Sequence, residues 1–148
     1  MAFEFALAPL LRLRQSIERQ RTLGLQQAAL QVNRAEETLQ RLERFLADSA
    51  RSDAASLARG RTAAELQHAS LLREQFGQYR IQLQEDIRRL EALRQQASEA
   101  YQQAFREREV LDALRTSQRR AYDLEKSRRQ QQELDSAHLL QRWHRREG

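Results

Sequence analysis

Apolar residues recur along this chain at steps of three and four, the spacing of a helix with one apolar edge. The run is cleanest at Leu25, Ala28, Val32, Ala35, Leu39, Leu42 and Leu46. There the two steps alternate without a break and the positions between are almost all polar, which makes a heptad seam. Leu10, Leu13 and Ile17 begin the same pattern upstream, and Pro9 stands where a helix tolerates proline best, in its first turn. Between Ile17 and Leu25 the register needs two steps of four through Arg21, a stutter that locally unwinds a supercoil. Gly24, in the same stretch, weakens the helix by up to about 1 kcal/mol relative to alanine.

The pattern fades between Ala47 and Ala63, a stretch of small residues that holds Gly60, three serines and two aspartates able to compete for backbone hydrogen bonds. Thr62 or Ser56 could cap the next helix. A second stripe then runs through Leu66, Leu72, Phe76, Tyr79, Leu83, Ile87, Leu90, Ala97, Tyr101, Ala104, Leu111, Leu114, Ala121 and Leu124. The spacing predicts an all-α fold: two long helices forming an antiparallel coiled-coil hairpin. As one domain over 1–148, it places helix 1 at about 4–50, the turn at about 51–61 and helix 2 at about 62–145. The seam is expected at Leu25, Val32, Leu39, Leu42, Leu46, Leu83, Ile87, Leu90, Leu111 and Leu114. The first helix would be about 75 Å long and the second about 120 Å. A simple pair therefore leaves roughly 30 residues of the second helix over, and an isolated polar helix is marginal. The overhang should seek a partner.

Composition agrees. Of 148 residues, 32% are charged and 6% aromatic, and the mean hydropathy is -0.86, enough apolar surface for a seam and too little for a thick core. Disorder is the competing reading, but the apolar positions are periodic and the polar ones are mostly good helix formers. The absence of cysteine excludes disulfides, thiolate catalysis and cysteine zinc sites, and fits a reducing compartment. No apolar run approaches the roughly 20 residues of a membrane span. The start has neither leading basic residues nor a small-residue cleavage site, so a signal peptide is not expected. Net charge is +5, nearly all of it arginine, with Lys126 the sole lysine. That balance permits an acidic partner, whether protein or nucleic acid.

Candidate chemistry is sparse. His138 and His144 lie six apart, on different helix faces, and His68 is alone. The acidic pairs Glu36-Glu37 and Glu85-Asp86 are adjacent and diverge on a helix, and no glycine-rich phosphate loop exists. The reading is a protein that is not an enzyme, with no catalytic or metal site, no cofactor and no small-molecule substrate. The dyads Arg119-Arg120, Arg128-Arg129 and Arg145-Arg146 raise nucleic acid as a partner. The interleaved Asp123, Glu125, Glu133 and Asp135 argue instead for a salt-bridged solvent face, with Glu125 and Arg129 one such pair. Trp143, the only tryptophan, either packs back near Phe3, Phe5 or Leu7 or meets a partner.

Three segments carry a resemblance: Phe5-Ala-Leu-Ala-Pro-Leu-Leu-Arg-Leu-Arg14, the acidic Ala35-Glu36-Glu37-x-Leu39, and the glutamine-rich basic stretch from Leu124 to Leu134-Asp135. Together with the size, charge and unequal helices, they make the chain resemble the FliJ family of flagellar export proteins, relatives of type III secretion stalk proteins. Ser136 stands where that family often has a second acid.

The resemblance implies a cytoplasmic protein at the inner face of the membrane. It would bind the hexameric export ATPase, contact the membrane export gate and help cycle export chaperones. Carried onto this chain, the ATPase contacts would be Leu10, Leu11, Arg14, Leu134, Leu139, Arg142 and Trp143. The gate contacts would be Leu13, Ile17, Arg21 and Leu23. Two rival readings stay open: a general coiled-coil scaffold or dimerisation protein, and a basic helix that binds nucleic acid.

Overall fold

The computed structural model describes residues 2–148. It contains two helices, α1 over Ala8–Leu57 and α2 over Ala63–Glu147, and no strand among the described residues. The helices are joined by one tight turn and pack against each other antiparallel as a helical hairpin, as the spacing predicts. The chain falls into two compact units, Met1–Glu18 with Gln103–Gly148, and Arg19–Gln102. The boundary on α1 lies in the stutter after Ile17, where the heptad spacing is interrupted.

In the unit that holds both chain ends, the core is small. Leu11 is 3% exposed and packs in one cluster with buried Phe5 and Leu111, with Phe3 and Ala8 against it. Helix α1 starts at Ala8, later than the expected residue 4, because the chain turns first to bring Phe5 inward. The Ala8 N–H donates to the Phe5 carbonyl at 3.0 Å, and Pro9 stands next to it in the first helical turn, where its missing N–H costs nothing.

In the unit that holds the turn, Val32, Leu42 and Leu83 are buried, and the Phe45 and Phe76 rings meet edge-on at 5.1 Å. Leu25, Leu39, Leu46, Ile87 and Leu90 are half-buried, the burial a two-helix seam provides. Leu114, expected in the seam of the first unit, is exposed. Its neighbour on the chain, Asp112, accepts from Arg108 at 2.5 Å, and Leu111 takes the inward place.

The turn is shorter than expected. Residues 51–57, read from sequence as non-helical, continue α1, and only 58–62 leave the helix. The polar side chains there are occupied in ways that leave the helix intact. The Ser56 hydroxyl donates to the Ser52 carbonyl at 2.9 Å. Asp53 is buried and accepts from Arg61 at 2.6 Å and from Arg73. Gly60 adopts φ +83°, a left-handed conformation that a side chain would strain. Thr62 caps α2, its hydroxyl accepting from the Glu65 N–H at 3.3 Å, with the acid three residues on as in a capping box.

Leu11→Ala should lower unfolding free energy by about 2–5 kcal/mol, while Leu30→Ala on the exposed face should change it by no more than about 0.5 kcal/mol. Urea titrations monitored by circular dichroism check this; equal effects would contradict the seam.

Asp53 should make stability depend on pH. The Arg61 hydrogen bond, assisted by Arg73, holds its carboxyl below the usual carboxylate range. A carboxylate whose folded pKa is depressed stabilises above its unfolded pKa, near ~3.9, and that contribution is lost as pH falls through the folded value. Asp53→Asn should therefore lower Tm at neutral pH, and the gap to the parent protein should close only below that range. A gap constant down to strong acid would remove the ion pair from the explanation.

Candidate partner-binding surface

Helix α2 is 85 residues long and α1 only 50, so the sequence itself dictates that one helix outlasts the other. In the unit with the chain ends, pairing stops at Tyr122, whose ring lies 5.6 Å from Phe3. From 123 to 148 every residue is exposed. This stretch still carries large apolar side chains: Leu124, Leu134, Leu139, Leu140 and Trp143, the last 67% exposed. Leu139, Leu140 and Trp143, spaced one, three and four apart, share a face of the helix, while Arg142 and Arg145 lie on another. Trp143 is not folded back onto the N-terminal aromatics; Tyr122 takes that place. The overhang is held by local contacts alone, among them the Ser136 hydroxyl on the Gln132 carbonyl and the exposed Glu125–Arg129 pair at 3.5 Å. Exposed pairs of that kind contribute roughly 0.3–0.5 kcal/mol each.

The residues singled out from sequence fall into distinct settings. Leu10, Leu134, Leu139, Arg142 and Trp143 are exposed and open to a partner. Leu11 is not: it belongs to the core, since its neighbours in space are Phe5 and Leu111. Arg14 is half-buried and paired with Glu107 on α2, so its charge is already matched. Among the gate candidates, Leu13 and Leu23 are exposed at 54% and 59%, Arg21 is exposed and Ile17 is half-buried.

Sequence reading missed the residue at the centre of the polar contacts in this unit, Arg108. It donates to Glu18 on α1 and to Asp112 at 2.5 Å, and its guanidinium lies 5.1 Å from the Phe105 ring centre. The hydrogen bond to Glu18, with that to Asp112 next in weight, raises its pKa above the ordinary arginine value. With Arg14–Glu107 it ties the two helices together here. The available signal was an aspartate four residues after an arginine, but such pairs are common on solvated faces and nothing in sequence marks one as interhelical.

Among the described residues no group of His, Asp or Glu is placed to hold a metal ion. No described helix is long and apolar enough to cross a membrane. The open pocket beside the turn is lined by Phe45, Leu72 and Phe76, with Asp53 already neutralised by Arg61 and Arg73. The arrangement offers helix surface.

Comparison with known proteins gives one match. Curated proteins and solved structures produce no match to the chain. The family model described as "Flagellar FliJ protein" matches residues 3–148, from the N-terminal aromatic through the last turn of α2. Matched by that model over essentially its whole length, this unequal two-helix hairpin belongs to the FliJ family, and its role lies in flagellar export.

Proposed function

We propose that the chain works as a stalk-like element of the flagellar type III export apparatus. The overhang of α2 binds the hexameric export ATPase, the early part of α1 reaches the membrane export gate, and the protein takes part in cycling export chaperones at the cytoplasmic face of the membrane. The observation that carries this reading is the overhang: 26 exposed residues beyond Tyr122 on which Leu134, Leu139 and Trp143 are 60–67% exposed. Isolated polar helix of this kind is marginal by itself, and tryptophan and arginine, exposed here as Trp143 and Arg142, are the residue types enriched in interaction hot spots. Family membership supplies the partner class.

The ATPase contacts then reduce to Leu10, Leu134, Leu139, Arg142 and Trp143, since Leu11 is buried and Arg14 is paired. The gate contacts are led by Leu13 and Leu23, which are exposed although the heptad pattern brings apolar residues to this helix chiefly for its seam. Chaperone cycling rests on family membership.

Purified chain should stimulate phosphate release by the hexameric export ATPase, and removal of 132–148 should abolish that stimulation. Trp143→Ala should raise the concentration for half-maximal stimulation by roughly thirtyfold, the equivalent of about 2 kcal/mol for a hot-spot side chain. An intact chain that leaves turnover unchanged would sink the stalk reading and favour a general scaffold.

Replacing Leu13 and Leu23 with alanine should abolish capture by the gate's cytoplasmic domain while ATPase stimulation stays at the parent level. Loss of both together would mean that the two surfaces are not separate.

A further inference from the structure

In the unit with the chain ends, the row that places Leu111 in the core continues one and two turns along α2 to Arg115 and Arg119. Arg12 on α1 joins them, and the three line one open groove of about 490 Å³ whose accessible apolar wall is Phe3 and Ala8, backed by the buried Phe5 and Leu11. The other arginines that touch both helices in this unit are neutralised: Arg14 by Glu107, and Arg108 by Glu18 and Asp112. Among the described residues, Arg12, Arg115 and Arg119 have no hydrogen-bond or ion-pair partner. Glu4 is the one carboxylate on the rim, and it pairs with none of them. The first turn of α1 carries no acidic residue to offset the positive end of the helix dipole.

Three unmatched guanidiniums over an apolar wall set the chemistry of the occupant. We infer that the groove is a docking site for an acidic peptide segment of a protein partner, its carboxylates forked onto Arg12, Arg115 and Arg119 and an apolar side chain seated against the partly exposed Phe3 and Ala8. Arginine suits this role because its planar donors match a carboxylate in pairs. The apolar wall favours a peptide over nucleic acid, whose backbone would satisfy the charges and leave Phe3 and Ala8 without a counterpart. The groove stands apart from the overhang beyond Tyr122, so the inference holds whichever partner the overhang grips.

The test uses the full chain and a fluorescent peptide of repeating Glu-Glu-Leu units, with binding read by anisotropy. The double variant Arg115→Gln, Arg119→Gln removes two exposed charges; Arg128→Gln, Arg129→Gln removes two from the overhang as a control, and circular dichroism verifies that both stay helical. The groove variant should bind at least about tenfold more weakly, the loss expected from a charge-assisted hydrogen bond, and the control within about twofold of the parent. Changing each leucine of the peptide to serine should also weaken binding. Equal losses in both variants would reduce the effect to net charge and overturn the site. So would an undiminished response to the serine peptide, or a single-stranded oligonucleotide that binds more tightly with the same arginine dependence.

Discussion

Two helices can bury apolar surface only where both are present. All of the packing in this protein obeys that limit. A seam one residue wide gives each helix an inward edge and leaves most of its circumference to water, so the buried apolar set is short: Phe5, Leu11, Val32, Leu42, Leu83, Ala104 and Leu111. Each large member contributes roughly 1.5–3 kcal/mol by leaving water. Where the segment leading into α1 ends its pairing at Phe3, α2 has nothing more to pack against, and the same kinds of side chain that serve as core elsewhere, leucine above all, become surface. Length alone turns core chemistry into surface chemistry.

A thin seam specifies register weakly, because a heptad can slide by seven residues and still meet leucine. Ion pairs between the helices fill that gap. Arg108 reaches Glu18 and Arg14 reaches Glu107 in one unit; in the other, Asp53 holds Arg73 across the helices and Arg61 in the turn. Partly buried charges of this kind add little net stability once desolvation is counted, but a slipped register would leave them unpaired, and an uncompensated charge is expensive. Their contribution is to make the wrong alignments costly. Gly60 and the Thr62 cap act on the same problem from the turn, by fixing where α1 stops and α2 begins.

The seam was legible because periodicity is a property of the sequence: Val32, Leu42, Leu83 and Leu111 are inward as their spacing requires. The cap was legible to within two candidates, Thr62 and Ser56; Thr62 takes it, and Ser56 lies inside α1. The misreadings all depended on the other helix. Asp53 looked like a competitor for backbone hydrogen bonds, and only the return of α2 brings Arg73 to it across 20 residues. Leu11 looked available because nothing in its own helix shows that Phe5 and Leu111 close over it. Tryptophan was the more conspicuous aromatic, yet Tyr122 meets Phe3, because the hairpin alignment and not residue size decides which side chain reaches the N-terminal segment.

The distribution of arginine has the same geometric origin. An arginine beside the seam lies within reach of the facing helix, and it is tolerated there when an acid stands opposite, as Glu107 does for Arg14. At the groove beside Phe5 no acid stands opposite Arg115 or Arg119, and the chain could have supplied one at several nearby positions, since Glu4 is already on the rim. Three like charges converging on one concavity repel each other by an amount that solvent and salt screen only in part. Any ligand that brings negative charge relieves that repulsion as well as forming its own contacts, so complementarity is amplified at this point of the surface and nowhere along the neutralised pairs. High ionic strength should therefore erode such binding at the groove.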